Sequence, residues 1–142
     1  MPFRSAFFLS FVLLFLMAAE AFAPPTPPDK EKKPSARDMA KAKLDCATRA
    51  CQAVAQEFLE GKATTEQVNM WSRRWMAAQR EVTSKKADQV AAAEAHVNRL
   101  QQLEKAAKDK YDAKHGPLSD VYSAEYHRLD AEIELARVQS GK

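Results

Sequence analysis

Hydrophobic residues recur at helical spacing from about residue 38 onward. The first run has steps of three and four residues and consists of Leu44, Ala47, Cys51, Val54 and Phe58. Such steps place side chains on one face of an α-helix, as at the a and d positions of a heptad. We therefore expect a first helix over about residues 38–60, ended by Gly61.

A second stripe with the same spacing follows a predicted helix cap at Thr64 or Thr65, where Gln67 completes a capping box with Thr64. Its members are Val68, Trp71, Trp75, Ala78 and Val82. The apolar pattern continues through Val97, Leu100, Leu103, Ala107 and Tyr111, and no glycine or proline interrupts it before Gly116 and Pro117. The pattern thus predicts one continuous helix to about residue 114, roughly 75 Å long at 1.5 Å per residue.

Ser119 is expected to cap a third helix. That helix carries a further apolar stripe, formed by Val121, Tyr122, Tyr126, Leu129, Ile133 and Ala136. The predicted fold is all-α, with two antiparallel helical hairpins that share one long central helix in the order short, long, short. The seam of the long helix is weak between Thr83 and Ala95, so the pattern leaves open whether both short helices lie on the same side of it.

The two predicted hairpins repeat each other at an offset of 53 residues. Leu44 aligns with Val97, Phe58 with Tyr111, and Val68 with Val121. An internal repeat of this period indicates a duplicated supersecondary unit.

Tight antiparallel turns would give facing residues a constant sum of residue numbers. The facing pairs add to 125 or 126 in the first hairpin and to 231 or 232 in the second. This register pairs Cys51 with Trp75 in the first hairpin and, at the equivalent layer, Glu104 with Arg128 in the second. We expect the opposite charges to form a contact that sets the register. The alternative is that both side chains extend to water and never meet.

The N-terminus has the pattern of an export signal. Arg4 precedes an apolar run over residues 6–19, which is shorter than the about 20 residues of a membrane span. Small residues allow cleavage after Ala21 or after Ala23, and we favour Ala21 because Pro24 would hinder the second cut. The predicted domains are a signal peptide (1–21), a proline-rich charged linker without a core (22–37) and a helical tandem-hairpin domain (38–142).

Charge and cysteine content narrow the class of protein further. Residues 1–21 contain one arginine and one glutamate, so their removal leaves the net charge at +3. This balance does not predict binding to nucleic acid.

Cys46 and Cys51 are five residues apart on one predicted helix, too far to form a disulfide with each other. Cys51 lies on the seam, whereas Cys46 lies off it and is a candidate for a disulfide between two chains.

No catalytic, cofactor or metal site is predicted. Trp71 and Trp75 share a helix face, and Arg73 and Arg74 lie between them in the sequence. One interpretation is a platform that binds an anion. We favour the other, in which both tryptophans belong to the apolar seam and both arginines are solvated. The histidines lack the spacing of metal ligands. They are His96, His115 and His127.

The turn segments at residues 58–68 and 111–121 share an aromatic residue, a linker with glycine, a threonine or serine and a valine. They resemble the periplasmic helical-hairpin repeats of outer-membrane efflux channel proteins. The words WSRRWM and AEYHRLDAEIELA are similar to small exported bacterial proteins of unknown function with tandem hairpins. The chain has no membrane-spanning β-strand pattern, so channel activity does not follow from the resemblance.

The function predicted from the sequence is that of an exported, non-enzymatic, coiled-coil interaction or structural protein of the cell envelope, in the periplasm or outside the cell. Its expected partner is a second copy or another envelope protein, without nucleic acid and without a stable membrane span after signal removal. The alternatives are an accessory subunit of an envelope or efflux assembly that docks through hairpin tips, and a periplasmic holdase chaperone.

Overall fold

The computed structural model describes residues 33–141, which form four α-helices and no strand. The helices are α1 (Ala36–Leu59), α2 (Thr65–Glu81), α3 (Lys86–Asp112) and α4 (Leu118–Ser140). The all-α class is confirmed. The predicted signal peptide and most of the predicted linker lie outside the described residues.

Helix α1 begins two residues earlier than expected, at Ala36. Ser35 and Asp38 form a capping box, in which Ser35 Oγ accepts from the Asp38 amide and the Asp38 carboxylate accepts from the Ser35 amide, both at 3.2 Å. These bonds satisfy amide groups that have no partner within the helix. The capping box predicted at Thr64 and Gln67 is confirmed at the start of α2.

The predicted continuous central helix is wrong, because the chain leaves helical conformation between Glu81 and Lys86. Thr83 Oγ1 accepts from the Lys85 amide at 3.3 Å and donates to the Asp88 carboxylate at 2.7 Å. Hydroxyl side chains that bond to nearby groups in this way compete with the helical hydrogen-bond pattern. The local sequence Val-Thr-Ser also has low helix propensity, so the interruption needs neither glycine nor proline.

The interruption turns α3 back along α2. Ser72 Oγ and His96 Nδ1 lie 2.8 Å apart. On a continuous helix their 24-residue separation would place them about 36 Å apart. α2 therefore packs antiparallel to both α1 and α3, and α3 packs antiparallel to α4.

α2 also contacts α4, and these two helices run parallel. A ladder of polar contacts joins them: Thr65 with Ser123 (2.7 Å), Asn69 with His127 (3.0 Å) and Arg80 with Glu134 (3.0 Å). α2 is thus in contact with all three other helices.

The turns of the two hairpins have the same geometry at the predicted offset. α1 ends at Leu59 and α3 ends 53 residues later at Asp112; α2 begins at Thr65 and α4 begins 53 residues later at Leu118. The residue with positive φ is Gly61 (76°) in the first turn and Lys114 (64°) in the second. The predicted break at Gly116 is therefore two residues too late.

The predicted cap of the last helix is also wrong. Pro117 occupies the N-cap position of α4, with no side-chain cap hydrogen bond, and Ser119 lies inside the first turn. The proline fixes an extended approach to the helix, so no hydroxyl cap is needed to define its start.

Lys114→Gly is expected to raise the free energy of unfolding by roughly 0.5–1 kcal/mol, because glycine adopts positive φ without the steric cost that Cβ imposes. Gly61→Ala, at the equivalent position of the first turn, is expected to lower it by a similar amount. A Cβ at Gly61 would meet no neighbouring atom of residues 33–141 within 4 Å, so the expected loss of stability arises from the backbone conformation alone. Urea unfolding of the wild type and of each variant measures both changes in the free energy of unfolding. Destabilisation by Lys114→Gly would contradict the equivalence of the two turns.

The predicted register of the second hairpin is confirmed. Arg128 Nε donates to Glu104 Oε2 at 2.5 Å, and Arg128 Nη1 donates to Glu132 at 2.8 Å. The Glu104 and Arg128 side chains are only 12% and 20% exposed, so they do not extend to water. The main core beside this pair is built from small and medium side chains: Val97, Leu100, Leu103, Ala107, Val121, Ala124 and Ala131, together with Phe58 and Val68.

Candidate functional site

Helix α4 exposes a row of large apolar side chains, which we call the α4 stripe. It consists of Tyr122 (62% exposed), Tyr126 (68%), Leu129 (45%) and Ile133 (52%), continued by the exposed Ala136. These residues were predicted to lie in one apolar stripe with Val121. The structure buries Val121 and leaves the other members of that stripe exposed.

The α4 stripe is exposed because α4 uses another face for its contacts. Val121, Ala124 and Ala131 are buried against the core shared with α3, and Arg128 between them pairs with Glu104. The positions that face α3 follow heptad spacing. The residues of the α4 stripe follow the same spacing on a different face of the helix. One helix thus carries two apolar seams, of which the described residues cover one.

The two tryptophans do not form a shared platform with the arginines between them. Trp71 and Trp75 are both half-buried. Arg74 lies over the Trp71 ring at 4.6 Å, and the exposed Arg73 is 3.5 Å from Asp130 of α4. The arginine over Trp75 is Arg99, which comes from α3 and was not predicted as a site residue.

A cavity of about 420 Å³ lies between α1 and α3, with α2 behind it; we call it the α1–α3 groove. Its lining is mainly apolar and includes Cys51, Ala55, Phe58, Val68, Trp75 and Leu103. On α2 the lining extends from Val68 to Trp75 and on α3 from Arg99 to Ala106, which is about 10 Å along each helix axis. Small-molecule sites commonly have volumes of about 300–1,000 Å³, so the groove is large enough for a ligand.

Arg99 lines one end of the α1–α3 groove in a fixed orientation. Its Nε donates to Ser72 Oγ at 2.7 Å and its Nη2 to the Ser72 carbonyl oxygen at 3.3 Å. The guanidinium carbon lies 4.1 Å from the centre of the Trp75 ring. Among residues 33–141, no carboxylate forms an ion pair with Arg99. Burial lowers the pKa of its guanidinium.

Ser72 also connects Arg99 to a buried histidine. His96 is 2% exposed and Ser72 is fully buried. Because Arg99 donates to Ser72 Oγ, the Ser72 hydroxyl hydrogen is available to donate to His96 Nδ1, which makes Nδ1 the acceptor. Burial first, and then the positive charge of Arg99, lower the pKa of His96 to about 4. His96 is therefore neutral at pH 7. The Ser72 hydroxyl is buried between His96 and Arg99 and bonds to both.

The remaining candidate residues are separated in the fold. His115 is exposed in the second turn, and His127 lies between α2 and α4. Within residues 33–141, no group of three histidine, cysteine or acidic side chains has an arrangement suited to a metal ion. Cys46 is exposed and Cys51 is buried, as their positions relative to the seam predicted.

Searches among protein-family models, curated proteins and solved structures find no match to this chain. None of the helices in the described part of the chain combines the length and apolar character needed to cross a membrane.

Proposed function

We propose that this protein is an exported, non-enzymatic interaction protein that associates with a second copy of itself through the α4 stripe. The observation that carries this proposal is the exposure of four large apolar side chains in heptad spacing on one helix. Contiguous exposed apolar surface of this kind is typical of protein–protein contacts. Export is supported by the signal-like pattern of residues 1–21.

Heptad spacing favours a helix as the partner of the α4 stripe. A heptad seam packs most closely against another heptad seam, and a second copy supplies one of matching length. Tyr122 and Tyr126 suit such a contact, because tyrosine combines a large apolar ring with a hydroxyl that tolerates water at the rim.

The charges beside the stripe do not oppose this contact, although most are acidic. Asp130 pairs with Arg73, Glu132 with Arg128, and Glu134 with Arg80. These ion pairs reduce the repulsion that two acidic helices would otherwise experience.

Ile133→Lys is expected to weaken self-association at least about 30-fold, because it places a charge in the centre of an apolar contact on both copies. Ile133 is half exposed in the single chain, so the substitution leaves the core intact. Sedimentation velocity across a micromolar concentration series measures the change in dissociation constant.

Met39→Lys is the matched control, since Met39 is a large apolar residue of α1 with 56% exposure that lies outside the α4 stripe. It is expected to leave the association unchanged. A monomeric wild-type protein throughout the series, or equal weakening by both substitutions, would contradict the proposed interface.

A further inference from the structure

We propose that the α1–α3 groove binds a single-chain fatty acid, with its carboxylate on Arg99 and its alkyl chain along the apolar lining toward Phe58. This site is formed by α1, α2 and α3, so it is separate from the α4 stripe and is tested independently.

The first argument is the unbalanced charge of Arg99. Three arginines in residues 33–141 are half-buried, namely Arg80, Arg99 and Arg128. Arg80 pairs with Glu134 and Arg128 pairs with two glutamates. The partners of Arg99 within the described part of the chain are the uncharged oxygens of Ser72 and the face of Trp75. A partly desolvated cation without a counter-charge is unfavourable, and a bound anion would supply that charge.

The second argument is the orientation of the guanidinium. Ser72 engages two of its five N–H groups, and stacking on Trp75 fixes its plane. A guanidinium that is held in place loses little side-chain freedom when it binds a carboxylate, whose two oxygens match paired N–H donors. The head of the ligand is therefore expected to be a carboxylate.

The third argument is the polarity of the groove along its length. Arg99 and Trp75 lie at one end, and the lining toward the other end includes Phe58, Val68 and Ala106. An anionic head followed by an apolar body of about 10 Å matches this arrangement. An alkyl carboxylate of medium length has that form.

Decanoate is the probe, and fluorescence of Trp75 is the readout. In a Trp71→Phe background, Trp75 is the sole tryptophan of the chain and lies against the groove. Decanoate is expected to bind saturably and at least about tenfold more tightly than decanol, which lacks the charge, or decyltrimethylammonium, which reverses it.

Arg99→Gln is expected to weaken decanoate binding about tenfold or more while leaving the binding of decanol nearly unchanged. Arg74→Gln is the matched control, because Arg74 also lies over a tryptophan ring but is exposed and outside the groove lining. The Arg74→Gln variant keeps both Trp71 and Trp75, so it is compared with the wild-type protein. It is expected to bind decanoate with the wild-type affinity.

Ala106→Phe keeps Arg99 and fills the groove, so the test does not depend on the stability of the Arg99 variant. This substitution is expected to abolish the binding of both decanoate and decanol. Equal affinity for decanoate and decanol, unchanged decanoate binding by folded Arg99→Gln, or no saturable binding of decanoate would overturn the proposal. Saturable decanoate binding that survives Ala106→Phe would place the ligand elsewhere and would also overturn it.

Discussion

Arg128→Glu is expected to lower the free energy of unfolding by about 2–3 kcal/mol, which is less than the cost of about 3–5 kcal/mol for breaking a fully buried ion pair because both side chains keep some exposure. The substitution places a carboxylate beside Glu104 and Glu132, where the guanidinium now bonds to both. Glu104 is 12% exposed and cannot turn freely to water. Lys108, which pairs with Glu104 at 2.7 Å, limits the loss but is itself more than half exposed.

Adding Glu104→Arg to Arg128→Glu is expected to restore part of this loss, since opposite charges face each other again. The restoration is incomplete, because the new arginine lies near Lys108. Urea unfolding of the wild type, both single variants and the double variant gives the coupling free energy of the pair.

The exposed pair of Arg73 and Asp130 provides the control. Its atoms are 3.5 Å apart and both side chains are about half exposed, so Arg73→Glu is expected to cost less than about 1 kcal/mol. If Arg128→Glu costs no more than Arg73→Glu, or if the double variant only adds the two single effects, the contact does not set the register.

Acid is expected to destabilise the protein through His96 by about 3 kcal/mol between pH 6.5 and pH 4, since the shift from the ordinary pKa of 6.5 to about 4 is worth 1.36 kcal/mol per unit. The unfolded chain binds a proton at its ordinary pKa, whereas the folded protein resists it. Stability from the neutral histidine is thus complete above pH 6.5, falls as the pH drops, and levels off below about pH 4.

The groups around His96 strengthen this effect. Desolvation is the main cause of the lowered pKa, and the positive charges of Arg99, Arg73 and Arg80 add to it. None of these charges favours a protonated imidazole, and no acidic group within residues 33–141 contributes to the shift of the His96 pKa.

The difference in the free energy of unfolding between wild type and His96→Gln separates the contribution of His96 from that of the carboxylates. Several acidic groups have lowered pKa values, and they lose their contributions as the pH falls through those values. His96→Gln is expected to be less stable at pH 7 but to lose much less stability between pH 6.5 and pH 4. His115→Gln, in the exposed second turn, is expected to follow the wild type. Parallel curves for wild type and His96→Gln would contradict the prediction.

Local sequence patterns determined much of the secondary structure and one tertiary feature. The first turn was predictable because its signals lie within a few residues of one another. Phe58 and Gly61 mark the end of the first helix, and the Thr64 capping box marks the start of the second. The 53-residue repeat predicted a second turn close to its observed place, although not the residues that break and cap the helices there. The constant sum of facing residue numbers predicted the pairing of Glu104 with Arg128. Such signals are readable from one sequence because helix caps, tight turns and heptad seams depend on residues close together in the chain.

Only the tertiary structure decided where the central segment turns back. Residues 82–85 contain no glycine or proline, and the bonds of Thr83 that accompany the break depend on side-chain placement. That turn brings Ser72, His96 and Arg99 together and forms the α1–α3 groove. It also places α2 against α4, so that α4 buries its small residues and leaves Tyr126 and Ile133 exposed. Two apolar faces on one helix look alike in a sequence, and the packing of the neighbouring helices selects which of them becomes core.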